Sequence, residues 1–137
     1  MKVVILDGYV DEPSNFGVPP YISPYPRYLA GAVRDAGHEW EYVTIDQVRA
    51  GRPLRGDILA VISGPIVPGK YLRGLPISQR EIVRHASMFE GESVLGGPLA
   101  RFRYFDESLS EPFDWVALRD FDPALHDRLA DGEWKDR

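Results

Sequence analysis

The sequence predicts a three-layer α/β/α domain of flavodoxin-like or Rossmann-like type, built on a mostly parallel five-stranded sheet. Three observations predict it. Short apolar runs, Val3-Val4-Ile5-Leu6 and Ile58-Leu59-Ala60-Val61-Ile62 above all, have the continuous character of central strands buried on both faces. Amphipathic helical stretches alternate with these runs, and right-handed crossovers then favour a first strand near the middle of the sheet. With 137 residues, 44% of them hydrophobic, the chain can bury one core but is short for two.

Each element has a local cause. The first strand, Val3 to Leu6, stops at Asp7-Gly8, and a loop rich in Pro, Gly and Tyr runs on to Ser23. Ser23 is the expected N-cap of a helix with Pro24 at its first position. Tyr25, Tyr28, Leu29, Ala32, Val33 and Ala36 recur at helical spacing, and Gly37 ends the helix. His38 to Ile45 alternates enough to be an edge strand, followed by a short helical turn from Asp46 to Ala50. Asp57 to Ile62 is the third strand. Ser78 and Glu81 form a capping box before a helix whose apolar face is Ile82, Val83, Ala86 and Phe89. Ser93 to Leu95 and Trp115 to Leu118 are the last two strands, separated by an irregular stretch. Asp122-Pro123 opens a final helix through Leu125 and Leu129. The domain is expected over residues 1–130, with 131–137 a polar, frayed tail that starts a linker.

Composition excludes several functions. The chain has no cysteine, which removes disulfides, thiol nucleophiles, Cys-based zinc sites and iron–sulfur ligation. A net charge of −5 without a basic stripe argues against a nucleic-acid partner. No apolar run reaches the ~18 residues of a membrane span, so the expected location is the cytoplasm, with no membrane partner.

In an open α/β sheet, ligands sit beyond the carboxyl ends of the strands. Those ends are Asp7-Gly8, Ser63-Gly64-Pro65, Gly96-Gly97-Pro98 and Arg119-Asp120. Glycine stands at three of the four, where a missing Cβ lets a ligand approach the main chain. Asp7, Gly8, Ser63, Gly64, Gly96, Gly97 and Pro98 are therefore the candidate binding residues. The alternative is that these glycines only turn the chain. No catalytic or metal-ligating set is expected. G-x-G-x-x-G is absent after the first strand, as is a P-loop, and Ser63 stands where a receiver domain needs Asp. Ser63 lacks a complete G-x-S-x-G elbow, and His38, His85 and His126 are poorly placed to serve it, so a hydrolase ranks third.

Pro19-Pro20, the helix end Ala36-Gly37-His38 and the turn Leu95-Gly96-Gly97-Pro98 fall in a telling order. Together they resemble the N-terminal B12-binding-like domain that precedes many radical SAM catalytic domains. Leu6 to Pro13, Phe16 to Tyr25 and Val67 to Tyr71 are similar to an archaeal subgroup of those proteins. The resemblance implies cobalamin or another small molecule held against the glycine rim, and a radical SAM catalytic domain as partner, in cis or trans. It implies that S-adenosylmethionine and a 4Fe-4S cluster belong to that other domain, and that this chain is a platform and interdomain surface. The histidine of methyltransferase-type D-x-H-x-x-G is missing from Asp7 to Glu12, and Pro65 and Pro68 stand where such domains offer Ser or Thr. The competing class is a cofactor-free α/β binding or structural module.

Overall fold

The computed structural model describes residues 1–8, 24–63, 76–101 and 107–136. Five parallel strands form one sheet: β1 (Lys2–Asp7), β2 (Glu39–Thr44), β3 (Ile58–Ile62), β4 (Glu92–Gly96) and β5 (Trp115–Val116). Their order, β2-β1-β3-β4-β5, is the flavodoxin-like order, and every pairing is parallel. Both faces of the sheet carry helices, which explains why Val3 to Leu6 and Ile58 to Ile62 are apolar at successive positions rather than at alternate ones.

On one face lie α1 (Tyr25–Asp35) and α6 (Phe121–Asp131), packing Leu29, Val33, Phe121 and Leu125 against Val3, Ile5, Ile58, Ala60, Ile62 and Val94. On the other lie α2 (Ile45–Arg49), α3 (Gln79–Met88), α4 (Pro98–Arg101) and α5 (Glu107–Ser110), with Ile45, Ile82, Leu99 and Leu109 covering Val4, Leu6, Leu59, Val61 and Leu95. Burying one such aliphatic side chain contributes roughly 2 kcal/mol.

The capping box of α3 forms as expected, Ser78 accepting from the Glu81 N–H and Glu81 from the Ser78 N–H. A second one, Thr44 with Gln47, starts α2 directly from the end of β2. Pro24 already has helical dihedrals, φ −77° and ψ −19°, while Ser23 lies outside the described residues.

Four expectations need correction. Tyr28 belongs to the apolar spacing of α1 but is 58% exposed; Leu29 and Val33 are the helix's buried residues, with Tyr25 and Ala30 packed partly buried beside them. The irregular stretch before β5 contains two single-turn helices, α4 and α5, too short for a periodic signal. Helix α6 begins at Phe121, with Asp120 extended at its N-cap and Pro123 still in the first turn, where its missing N–H goes unused. Within the tail expected to fray, Trp134 is docked. Trp134 stacks on Trp115 with ring centroids 6.4 Å apart, and its indole N–H donates to Glu92 at 2.6 Å.

Candidate functional site

The carboxyl edge of the sheet is the rim where the candidate residues meet. Chain direction splits there: β1 connects outward to β2, while β3 leads to β4 on the opposite side. The switch point between β1 and β3 is the standard crevice of such sheets. Among the described residues, two backbone hydrogen bonds cross it. The Gly8 N–H donates to the Ile62 carbonyl at 2.9 Å, and the Gly8 carbonyl accepts from the Ile77 N–H at 2.9 Å.

Asp7 ends β1 and is 4% exposed. Its register partner on β2 is Thr44, and the neighbouring pair is Ile5 with Tyr42, so Tyr42 lies on the same sheet face as the Asp7 side chain. The Tyr42 hydroxyl donates to Asp7 Oδ2 at 2.6 Å. A carboxylate and a phenol are thus coupled at the end of β1, with the phenolic proton committed to the carboxylate. Tyr42 carried no signal of this role in the sequence, since only the sheet register brings it beside Asp7.

Ser63 follows β3 and is fully buried. Its Oγ–H donates to the Gly96 carbonyl at 2.6 Å, and Oγ accepts the Leu99 N–H at 3.0 Å. The Ser63 N–H also donates to the Gly96 carbonyl, at 2.8 Å. The hydroxyl therefore fastens β3, the end of β4 and the start of α4 together, and neither of its partners is a base.

The two glycines after β4 have separate causes. A Cβ on Gly96 would stand 2.2 Å from Phe121 Cδ1 and 2.5 Å from Cε1, so the ring of Phe121 occupies the space that glycine leaves. Gly97 has φ +91°, a left-handed conformation that L side chains rarely adopt, and its Cβ would meet Ser63 backbone and Oγ atoms at 3.1 Å. Pro98 then opens α4, and the Gly97 carbonyl accepts from the Arg101 N–H. The structure thus gathers Asp7, Gly8, Ser63, Gly96, Gly97 and Pro98 on one edge, while Gly64 lies outside the described residues. Among the described residues, Phe121 and Ile77 also stand at this edge without having shown themselves in the sequence.

Arg101 forms an ion pair with Asp120 at 2.9 Å, joining α4 to the start of α6. Below the rim, Arg49 on α2 donates two hydrogen bonds to Glu81 on α3 and one to the Pro76 carbonyl. The Arg49 bonds and the N-cap bonds with Ser78 depress the Glu81 carboxyl to about 2. His85 on α3 has a buried Nε2 with no hydrogen-bond partner among the described residues, and burial lowers its pKa. A separate groove of about 440 Å3 lies between α1 and α6, lined by Tyr28, Gly31, Asp35, Asp122 and His126 among others. No group of His, Asp and Glu capable of holding a metal ion occurs among the described residues, and none of their helices is long and apolar enough to cross a membrane.

Two curated relatives of this chain are both described as uncharacterized proteins of archaea. One, from Methanocaldococcus jannaschii, is 38% identical over 147 aligned residues, covering 96% of this chain and 26% of the relative. The other, from Archaeoglobus fulgidus, is 49% identical over 87 residues, covering 60% of this chain and 16% of the relative. The chain thus spans about a quarter or less of the length of these relatives. No protein-family model matches the chain, and no solved structure does.

Proposed function

We propose that this chain is a B12-binding-like domain of the radical SAM type, a platform that holds a small molecule on the carboxyl edge of its sheet while a separate domain performs the chemistry. The observation that carries this reading is the gathering of Asp7, Gly8, Ser63 and the Gly96-Gly97-Pro98 turn at the switch point of a β2-β1-β3-β4-β5 sheet. The sequence resemblance supports it, and so does the greater length of both relatives, which leaves room for a catalytic domain.

The described residues fit a corrin poorly. The space beside Gly96 is filled by Phe121, Gly97 packs on Ser63, and the Ser63 hydroxyl is committed to backbone. The described part of the rim also has no histidine to ligate cobalt from below, since His38 stands at the amino end of β2 and His85 and His126 lie within helices. No step is therefore assigned to cobalamin. What the chain's own described residues place at this edge is a buried Asp7 carboxylate joined to the Tyr42 hydroxyl, and backbone hydrogen bonds from Gly8 to Ile62 and Ile77. The filled glycine positions favour the second reading, a binding module without a cofactor.

Anaerobic expression and reconstitution of the full-length Methanocaldococcus jannaschii relative tests the proposal. Iron and sulfide at about four per chain, with reductive cleavage of S-adenosylmethionine, are expected. Absence of both overturns the radical SAM reading. Hydroxocobalamin titrated into the 137-residue chain then separates the two readings: a shifted absorption band supports a bound corrin, and an unchanged spectrum supports the cofactor-free module.

A further inference from the structure

The two edges of the sheet are unlike. β5 is two residues long and flanked by the Trp115–Trp134 stack, whereas β2 runs for six residues and pairs only with β1 among the described strands. Open edges are commonly blunted by proline, by a bulge or by charged side chains, and of these Glu39–Thr44 carries only the charges of Glu39 and Glu41. Its register with β1 fixes its faces. Trp40 lies opposite Val3, on the α1 side, and is 47% exposed. Glu39 and Glu41 lie opposite Lys2 and Val4, on the α2 side.

We propose that the β2 edge is a self-association surface, on which two copies of this chain pair antiparallel about a two-fold axis at Trp40. The backbone permits this register. The Glu39 N–H donates to the Met1 carbonyl at 3.1 Å, so Glu39 and then Glu41 turn their main-chain groups toward β1, and Trp40 turns its own outward. Centred on Trp40, the pairing lets the two Trp40 residues exchange N–H···O=C bonds, with their indoles side by side on the α1 face.

Charge selects the same register. Glu39 makes no ion pair among the described residues, whereas Glu41 is bound by both Lys2 and Arg52, the latter at 2.7 Å. Two cations around one carboxylate leave a net positive triad, and the bonds from Lys2 and then Arg52 hold Glu41 below its ordinary pKa. With the axis at Trp40, each Glu39 stands across from Glu41 of the second copy and meets that positive triad, twice by symmetry. An axis at Glu41 would instead set the two triads against each other and leave Glu39 without a cation.

Sedimentation equilibrium on the 137-residue chain is expected to show a concentration-dependent dimer. Trp40→Lys and Glu39→Lys, both at exposed positions, should each weaken it at least tenfold with unchanged circular dichroism. Should Trp40→Lys perturb the fold, Glu39→Lys carries the test alone. Because the chain has no cysteine, Trp40→Cys also reports without background. Residues in a hydrogen-bonded antiparallel pair have Cα atoms about 5.5 Å apart, within disulfide reach. Oxidation should therefore give a covalent dimer through Cys at position 40, and the same change at Glu41 should give much less. A monomer at every concentration overturns the proposal, as does a dimer that tolerates both lysine variants or one that cross-links at 41 in preference to 40.

Discussion

Glu92 and Gly96, the first and last residues of β4, both meet α6, and they are held by opposite means. At the amino end Glu92 accepts two hydrogen bonds from Arg128, near the end of α6, and one from Trp134 just beyond it. At the carboxyl end Gly96 offers no side chain at all, and the ring of Phe121, the first residue of α6, fills its place. Long polar side chains can swing, and water can replace a lost partner. A ring pressed on a main chain leaves nothing to give. One strand thus docks one helix by an adjustable polar clasp at one end and by rigid contact at the other.

The sharpest way to break this comparison is Gly96→Ala. The added methyl would sit inside the van der Waals radius of three Phe121 ring atoms, the nearest at 2.2 Å. Overpacking at a buried site costs about 1–3 kcal/mol, and a loss near 3 kcal/mol in urea unfolding is expected because the ring has little room to retreat. Adding Phe121→Leu should recover part of it. Full stability in the single variant would mean that the Gly96 face opens toward a ligand instead of the ring.

Ser63→Ala tests the same end by removing atoms. The buried Leu99 N–H would lose its acceptor, and the Gly96 carbonyl would keep only the Ser63 N–H. Leaving a buried group unsatisfied costs about 1–3 kcal/mol, so a loss near 2 kcal/mol is expected. Unchanged stability together with weaker binding of a ligand by the full-length relative would return Ser63 to a direct binding role.

Much of this arrangement was legible in the sequence because it is local or periodic. The apolar runs gave the central strands, Ser78 with Glu81 gave the start of α3, and the alternation in His38 to Ile45 gave the edge position of β2. The rim residues are legible too, since strand ends in a parallel sheet converge on one side. Which way they face was not legible. Gly96 reads identically whether a ligand or Phe121 lies against it, and the two are 25 positions apart with no pattern linking them. The Tyr42–Asp7 bond depends on register across two strands, and the docking of Trp134 on a partner 42 residues away. Long-range contacts of this kind leave no trace in local spacing.

The smallest effect is expected at the amino end. Burial alone would raise the Glu92 carboxyl, but the bonds from Arg128 and Trp134 outweigh it and hold the group below its ordinary value of 4.5. A carboxyl depressed by folding stabilises the native state above its unfolded pKa, and that contribution is lost as pH falls through the folded pKa. Glu92→Gln keeps the shape and can still accept from one donor, so at pH 7 it should cost about 1 kcal/mol, the range of a partly exposed ion pair. The difference between wild type and variant should shrink once pH drops below about 4.5, where the unfolded carboxyl takes up its proton. Urea unfolding of both proteins at pH 7 and at pH 3.5 measures it. A loss of 3 kcal/mol at pH 7, or a gap that stays constant with pH, would show that the clasp is as rigid as the Gly96 contact and that the two ends of β4 are held alike.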